Sequence, residues 1–432
     1  MAGLPTVADN TDGPMDRILV RASGPLSGSV RVSGAKNSVL KLMAACLLGN
    51  GEFALHNVPR IVDVAIMADL LTTIGLVIER PEPGTVLLAN HGLVRFDPPE
   101  ELFEKMRASI VVLGPLLARM RQAKVALPGG DDFGPRPIDL HLKGLEALGA
   151  MFELEHGALV GRAPDGLRGA HIMLDFPSVG ATENIVMAAV LAEGTTMLDN
   201  AAREPEVQDL CRFLNVLGAR ISGIGSTMLK IEGVASLHGG EYSVVPDRVE
   251  AATYFAAAGI AGGELHVVDA RAEHMEMFLT KLSEMGMTIA VETDGITVKA
   301  PPRLTAVDVS TLPYPGVATD YKPLITTMLS VADGVGIVTE NLFAGRFRYV
   351  DELLRMGANI RTDSHHAVVR GVPSLSGARV TAGDIRAAAA LIVAGLHAEG
   401  ETVIYGARHL DRGYDGLVGK LASLGADVTR LP

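Results

Sequence analysis

Aromatic residues are scarce in this chain. Of its 432 residues only 4% are aromatic and none is Trp, whereas 48% are hydrophobic. The interior must therefore be built from aliphatic side chains, chiefly those of Ala, Leu, Val, Ile and Met. One hydrophobic core stops growing at about 250–300 residues, so a chain of this length predicts at least two domains.

Cysteine and long apolar runs are also scarce. The two cysteines, Cys46 and Cys211, cannot form a disulfide framework, and their apolar surroundings indicate buried, inert thiols. The N-terminus lacks the basic and apolar segments of a signal peptide. The longest apolar run, 387–396, is about half as long as a bilayer requires. We expect a cytoplasmic protein without membrane association, with a disordered tail over residues 1–14.

Basic residues are fewer than acidic ones. The 38 Lys and Arg against 50 Asp and Glu give a net charge of -12. This balance argues against general nucleic-acid binding, which requires a basic face. It leaves room for a local cationic site that binds an anionic ligand.

A helical segment that ends in an apolar residue followed by glycine occurs six times, at intervals of about 70 residues. A glycine in the left-handed cap followed by a strand explains each copy. The glycines are Gly75, Gly149, Gly218, Gly286, Gly357 and Gly425. An Ala/Leu-rich helix without a clear polar face precedes each copy, and such helices are usually buried. The sequence therefore predicts an α/β fold of two inside-out α/β barrel domains, each with three repeats.

Charged or polar residues stand just before each of these buried helices. Helix N-termini favour anions, and basic side chains strengthen that preference. The residues are Lys36, Arg107, Ser178, Arg248, Asp320 and Arg386. A second set, Arg136, Glu204, Glu206, Arg348 and Arg412, precedes the other helix of some repeats. A single arginine usually makes a surface salt bridge, but recurrence at equivalent positions favours an anion-binding site.

The stretch 127–137, LPGGDDFGPRP, interrupts the repeat. Its three glycines and three prolines exclude regular structure, and long irregular segments are often mobile lids. Asp131 and Asp132 would be two carboxylates on this loop. The alternative interpretation is a solvated acidic turn.

Several motifs resemble those of the UDP-N-acetylglucosamine 1-carboxyvinyltransferases, enolpyruvyl transferases of peptidoglycan synthesis. The motifs include SGAKNSVLKLMAA, PGGDDFGPRPIDLHLKGLEALGA, NAAREPEVQDLCRFLNVLGA and HLDRGYDGLVGKL. The resemblance runs from about residue 20 to the C-terminus; the related 5-enolpyruvylshikimate-3-phosphate synthases share the sixfold fold but not these loops. It implies one domain over 36–245, with the mobile loop 127–137, and a second over 15–35 plus 246–432.

The resemblance also implies an activity. The carboxyvinyl group of phosphoenolpyruvate would pass to the 3-hydroxyl of UDP-N-acetylglucosamine by addition–elimination, with release of phosphate. No metal, organic cofactor, nucleic acid or obligatory protein partner is implied.

Roles for individual residues follow from the same motifs. Asp320 would be the base for the acceptor hydroxyl and Asp131 the loop acid, with Lys36 and Arg412 assisting catalysis. The phosphoenolpyruvate contacts would be Lys36, Arg107, Arg136, Arg386 and Arg412. The acceptor contacts would be Asn37 and Leu342, with Arg136, Pro137, Ile138, Asp139 and Leu140 at the uridine and Ser178, Val179 and Gly180 at the diphosphate.

Some positions depart from the family pattern. Asp131 replaces a cysteine that the epoxide fosfomycin alkylates, so we expect a fosfomycin-resistant enzyme. Phe176 stands where a lysine is common near the diphosphate, and Ala318, Tyr321 and Lys322 also differ. Two alternatives therefore stay open. One is a paralogue acting on another acceptor, such as a uridine monophosphate in specialised metabolism. The other is a non-catalytic ligand-binding relative, against which the retained charged set counts.

Overall fold

The computed structural model describes residues 16–126, 138–343 and 345–431. The predicted tail 1–14 and loop 127–137 thus lie outside the described residues. The described chain falls into two compact units. We call residues 34–126 and 138–245 the inner-sequence unit, and residues 16–33, 246–343 and 345–431 the outer-sequence unit.

Fourteen α-helices occur within the described ranges. They are α1 (Lys36–Ala45), α2 (Val62–Ile74), α3 (Glu100–Lys105), α4 (Leu113–Met120), α5 (Asp139–Ala147), α6 (Val179–Ala189), α7 (Pro205–Val216), α8 (Arg248–Ala261), α9 (Glu276–Glu284), α10 (Lys322–Leu329), α11 (Tyr349–Arg355), α12 (Ile385–Gly395), α13 (Arg408–Asp411) and α14 (Leu417–Ser423). Short 3-10 helices span Arg107–Val112, Ala272–His274 and Thr319–Tyr321.

The strands of the same ranges are short. They are β1 (Arg17–Arg21), β2 (Leu26–Arg31), β3 (Gly49–His56), β4 (Val77–Glu79), β5 (Val86–Asn90), β6 (Gln122–Ala126), β7 (Met151–Glu155), β8 (Ala158–Arg162), β9 (His171–Met173), β10 (Thr195–Asp199), β11 (Arg220–Ser222), β12 (Met228–Glu232), β13 (Leu237–Ser243), β14 (Gly263–Val268), β15 (Thr288–Val291), β16 (Gly295–Lys299), β17 (Val309–Ser310), β18 (Val335–Thr339), β19 (Asn359–Asp363), β20 (His366–Arg370), β21 (Leu375–Ser376), β22 (Arg379–Thr381), β23 (Ala398–Glu399), β24 (Glu401–Tyr405) and β25 (Val428–Leu431).

Each unit carries three sheets of three or four strands, all of them mixed except the antiparallel sheet β6-β8-β7. The inner-sequence unit has the strand orders β13-β3-β5-β4, β11-β12-β10-β9 and β6-β8-β7. The outer-sequence unit has β22-β24-β1-β25, β15-β16-β14-β2 and β17-β18-β20-β19, together with the small pair β21-β23. In one typical sheet β14 pairs with β2 in parallel and with β16 in antiparallel register, as in Leu265 opposite Gly28 and Val298.

The helices form the centre of each unit and the sheets surround them. Helices α1, α4 and α6 lie in the inner-sequence core, where α4 packs on α6, and α8, α10 and α12 pack on one another in the outer-sequence core. Every residue of α12 is buried. The strands bury alternate residues, as β24 does with Thr402 and Ile404. This arrangement confirms the predicted fold class, because a helix without a polar face is stable only when surrounded by other elements.

All six repeat glycines have a positive φ, between 84° and 130°. Each follows a helix within two residues and precedes a strand, as Gly75 separates α2 from β4. This confirms the predicted left-handed caps, a conformation that glycine adopts without steric cost.

Two other predictions can be compared with the fold. Cys46 and Cys211 are both buried, as predicted, and burial raises the pKa of both thiols, that of Cys211 to about 12, which disfavours the reactive thiolate. Among the described residues, no helix is both long and apolar enough to cross a membrane.

Candidate active site

The inner-sequence unit places the predicted residues at equivalent helix starts. Lys36 is the first residue of α1 and is followed by Asn37, and Arg107 begins the 3-10 helix that leads into α4. Ser178 caps α6, where its hydroxyl accepts a hydrogen bond from the Ala181 amide at 3.3 Å. Three equivalent helix N-termini thus carry the polar side chains that the repeat predicted.

Lys36 is held by a carboxylate that the sequence did not single out. Its ammonium nitrogen lies 3.0 Å from Oδ2 of Asp63, and the Asp63 side chain is only 1% exposed. Asp63 belongs to the first turn of α2. A nearly buried ion pair of this kind fixes the direction of a long, flexible lysine side chain.

A neutral polar network joins the start of α5 to the middle of α6. Nδ1 of the buried His141 lies 2.9 Å from the amide nitrogen of Asn184, whose oxygen accepts from the Gly114 amide at 2.8 Å. Because an amide nitrogen only donates, Nδ1 accepts and the imidazole proton is on Nε2. Burial and then the charge of Arg107 lower the pKa of His141 to about 4, so the ring is neutral near pH 7.

The same histidine lies against Gly180. A Cβ at Gly180 would lie 3.0 Å from Cε1 and 3.1 Å from Nε2 of His141. The absence of a side chain there lets the start of α6 approach the start of α5. The structure thus brings together the segments 138–140 and 178–180, in which Ile138 and Leu140 are half-buried and Asp139 is exposed.

In the outer-sequence unit, Asp320 lies between two arginines. Arg346 Nη1 is 2.9 Å from Oδ1 of Asp320, and Arg386 Nε is 3.0 Å from Oδ2. Asp320 is 23% exposed and the arginines 6% and 7%, so the three groups form a nearly buried cluster. Asp384 caps α12 and accepts from the amides of Arg386 and Ala387, which fixes the backbone that carries Arg386.

The two arginines decide the charge of Asp320. Burial acts to raise the pKa of this carboxyl, but the charges of Arg386 and Arg346 outweigh burial and hold the pKa well below its ordinary value. Asp320 is therefore ionised at every physiological pH. A carboxylate that is clamped in this way becomes a better proton acceptor only when one of the cations is drawn to another anion.

Arg346 belongs to the cluster around Asp320, although it was not among the residues predicted from the sequence. The segment RFRYV contains Arg346 and Arg348, and the repeat pattern indicated Arg348. In the structure Arg346 is buried against Asp320, whereas Arg348 is exposed at the start of α11. The presence of two arginines in one turn was a signal, but local sequence does not show which of them faces the interior.

The remaining predicted residues have defined positions. Leu342 is half-buried and its amide donates to Oε1 of Glu340 at 2.8 Å, and Arg412 follows α13 as its half-buried C-cap. Arg248 begins α8 and lies 5.8 Å from the ring centroids of Tyr314 and Tyr321. Asp131, Arg136 and Pro137 lie outside the described residues.

One cluster elsewhere has the donor set of a metal site. His266, Glu292 and Asp294 lie close together on the β14–β16 sheet, but Glu292 and Asp294 are exposed and His266 Nδ1 is hydrogen-bonded to Thr297 at 2.9 Å. Exposed groups of this kind are common without a metal.

Known proteins resemble this chain over nearly its whole length. The sequence model of EPSP synthase (3-phosphoshikimate 1-carboxyvinyltransferase) matches residues 20–421. Among solved structures, the enolpyruvyl transferase NikO from Streptomyces tendae has a TM-score of 0.88 at 25% identity, covering 97% of this chain and 99% of that one. EPSP synthase from Acinetobacter baumannii has a TM-score of 0.76 at 18% identity, covering 97% and 100%, and shows the shared fold. The fold and the matched family define a carboxyvinyl transferase.

Curated relatives narrow this class. The UDP-N-acetylglucosamine 1-carboxyvinyltransferase of Gluconobacter oxydans (strain 621H) is 50% identical over 417 residues, covering 96% of this chain and 100% of that protein. The protein of the same name from Nocardia farcinica (strain IFM 10152) is 49% identical over 421 residues, covering 96% and 99%. The chain belongs to the family of UDP-N-acetylglucosamine 1-carboxyvinyltransferases.

Proposed function

We propose that this enzyme transfers the carboxyvinyl group of phosphoenolpyruvate to the 3-hydroxyl of UDP-N-acetylglucosamine, a step of peptidoglycan synthesis. The observation that carries the proposal is the ionised Asp320 between Arg346 and Arg386, within a chain about half identical to carboxyvinyltransferases of that name. The residues predicted from the sequence to contact phosphoenolpyruvate and the UDP-sugar remain the proposed contacts.

The proposed reaction has two balanced stages. In the addition, the acceptor oxygen bonds to C2 of phosphoenolpyruvate, the hydroxyl proton goes to Asp320, and C3 receives a proton from Asp131. In the elimination, the bond from C2 to the phosphate oxygen breaks, the departing phosphate takes the proton held by Asp320, and C3 returns a proton to Asp131. The products are the enol ether and inorganic phosphate.

The clamp around Asp320 supports this role. Arg386 is both a partner of Asp320 and a proposed contact of the anionic donor. If the donor's negative charges draw the Arg386 guanidinium toward themselves, the pKa of Asp320 rises and the carboxylate becomes a stronger base. Asp320 is thereby activated as a base when phosphoenolpyruvate is bound. Proton transfer is suppressed when phosphoenolpyruvate is absent.

The acceptor site contains no lysine at position 176. Phe176 is 43% exposed and cannot make a charge-assisted contact with a phosphate. The backbone N–H groups at the start of α6 and the cation Lys36 at the start of α1 support diphosphate binding instead. The alternative acceptor, a uridine monophosphate, has less support, since the relatives that are about half identical to this chain are named for UDP-N-acetylglucosamine.

An acceptor panel tests the proposal. Purified enzyme is supplied with phosphoenolpyruvate and either UDP-N-acetylglucosamine, UDP-glucose or uridine monophosphate, and phosphate release and the enol ether product are measured. We expect turnover with UDP-N-acetylglucosamine alone. Turnover with uridine monophosphate and none with the UDP-sugars would contradict the proposed acceptor.

A further inference from the structure

Lys322 is a fully buried cation that the mechanism above does not use. It begins α10, directly after the 3-10 helix that carries Asp320, and its side chain is 0% exposed. The ordinary expectation for a lysine is exposure to solvent, and a buried ammonium group is retained only with well-placed partners.

The partners of Lys322 are specific. Its Nζ lies 2.8 Å from Oε2 of Glu340, donates to the main-chain oxygen of Arg346, and lies 3.9 Å from the ring centroid of Phe347. Burial lowers the pKa of Lys322 to about 8 against the opposing effect of Glu340. The ammonium group therefore joins β18, which ends just before Glu340, to the turn that carries Arg346.

Glu340 is a second buried carboxylate close to Asp320. Its side chain is 0% exposed and accepts hydrogen bonds from the hydroxyls of Thr311 and Thr319, both at 2.7 Å. Burial opposes its ionisation, but Lys322 and these hydroxyls hold the pKa of Glu340 below its ordinary value. The unit thus maintains two carboxylate charges within reach of the same arginine.

Arg346 lies between the two carboxylates. The nitrogen Nη1 that is 2.9 Å from Asp320 Oδ1 is also 2.9 Å from the Thr319 hydroxyl, which in turn donates to Glu340 Oε2. One hydroxyl group therefore separates the guanidinium from Glu340. Without Lys322, a buried and unpaired Glu340 would be a strong competitor for Arg346.

We propose that Lys322 is a positioning residue for the transfer reaction: by occupying Oε2 of Glu340 and the main-chain oxygen of Arg346, it keeps the Arg346 guanidinium on Asp320. The inference rests on the proposed role of Asp320 as the base. Lys322 touches no reacting atom and acts through Arg346 alone.

A rescue experiment tests this positioning. Lys322→Met removes the donor, so Arg346 leaves Oδ1 of Asp320 and the carboxylate loses the contact that orients it. We expect this loss of orientation to outweigh the gain in basicity and to lower kcat by about 10–10²-fold, with little change in KM for phosphoenolpyruvate. Lys322→Gln keeps a donor at the end of the side chain and should retain most of kcat. Lys322→Met/Glu340→Gln removes the competing charge and should restore kcat to near the wild-type value.

Other outcomes would overturn the proposal. A Lys322→Met enzyme that unfolds at a lower temperature but turns over at the wild-type rate would make Lys322 a stability residue only. Failure of the double variant to recover kcat would exclude the route through Glu340. If Lys322→Met does not fold, the Lys322→Gln crystal structure decides: the amide must bond Glu340 while Arg346 stays on Asp320.

The test of Lys322 as a positioning residue can be separated from the test of the proposed function. Should Asp320→Asn turn over normally, the proposed base is wrong whatever Lys322 does. The crystal structure of Lys322→Met then still decides the positioning, without an activity measurement. An Arg346 side chain turned to Glu340 supports it, and one still paired with Asp320 overturns it.

Discussion

The cluster around Asp320 and the contact between α5 and α6 hold their polar side chains by different physical means. In the outer-sequence unit, Asp320 is fixed by two full charges, Arg346 and Arg386, within a nearly buried cluster. In the inner-sequence unit, the start of α5 is joined to the middle of α6 by the neutral pair His141 and Asn184, and Lys36 at the start of α1 is paired with Asp63.

The difference distinguishes a reactive group from a scaffold. Charges in a buried cluster respond strongly when an anion arrives, because each guanidinium can exchange one carboxylate partner for another. A neutral hydrogen-bonded network has no net charge to redirect, so it keeps its geometry when ligands bind. We therefore expect chemistry to depend on the first region and shape to depend on the second.

The largest expected effect is that of Asp320→Asn, which keeps the size of the side chain but removes its basicity. Loss of general-base catalysis is typically worth about 10²–10⁴-fold, so kcat should fall by that amount while phosphoenolpyruvate still binds. Steady-state phosphate release and equilibrium binding measure the two quantities. A turnover close to that of the wild type would show that Asp320 is not the general base. The distinction between a reactive charged cluster and a neutral scaffold would then not hold.

The loop carboxylate Asp131 provides the next test. Asp131→Ala should lower turnover by at least about 10²-fold because the proton donor to C3 is lost. A carboxylate is a far weaker nucleophile toward an epoxide than a thiolate, so the wild type should turn over in the presence of fosfomycin.

Two variants provide controls for this assignment. Asp131→Cys should remain active and become sensitive to fosfomycin, with one inhibitor-sized adduct on the loop peptide by mass spectrometry. Asp132→Ala is the matched control. The assignment of the acid is wrong if Asp132→Ala is the inactive variant and Asp131→Ala is not.

The scaffold should respond to pH through His141. Its folded pKa, about 4, is below its ordinary value of 6.5, so the unfolded chain binds the proton more readily. The contribution of the neutral His141 to the free energy of unfolding is present above pH 6.5 and is lost as the pH falls toward 4. Between pH 7 and pH 5 the wild type should lose about 2 kcal/mol of unfolding free energy that His141→Gln does not lose. Denaturant titrations at both pH values measure this, with His91→Gln as the exposed control; equal losses in all three proteins would refute it.

The smallest expected effect is that of Gly180→Ala. The added methyl group would meet the His141 ring at 3.0–3.1 Å, which requires a small shift of the imidazole or of α6. We expect a loss of about 1 kcal/mol in unfolding free energy and a raised KM for the acceptor, with kcat nearly unchanged. Gly383→Ala, where a Cβ meets nothing within 4 Å, is the matched control. A large fall in kcat would show that this region does more than define shape.

Local patterns in the sequence were sufficient to predict the repeat glycines and the polar helix starts. Gly75 and its five equivalents are each recognisable from the apolar residue before them and the strand after them. Lys36, Arg107 and Ser178 could be found because a buried helix begins at the same place in each repeat. These features depend on neighbours within a few positions.

The ion-pair partners could not be predicted in the same way. Asp63 meets Lys36 and Glu340 meets Lys322 only after separate helices and strands pack together. Arg346 and Arg348 are two residues apart and chemically identical, so the choice between them is made by tertiary packing. Lys322 looked like a change near the acceptor, yet its side chain is fully buried beside Glu340.

The glycine that closes the second helix of every repeat has a consequence for how such a chain can diverge after internal duplication. That single residue ends the helix and turns the chain into the next strand, as at Gly149 and Gly357. The side chains at the start of the buried helix are not needed for this turn. Copies of one ancestral module could therefore acquire a lysine, an arginine, a serine or an aspartate at that start without losing their fold. Six copies of one shape can in this way supply four different chemical groups.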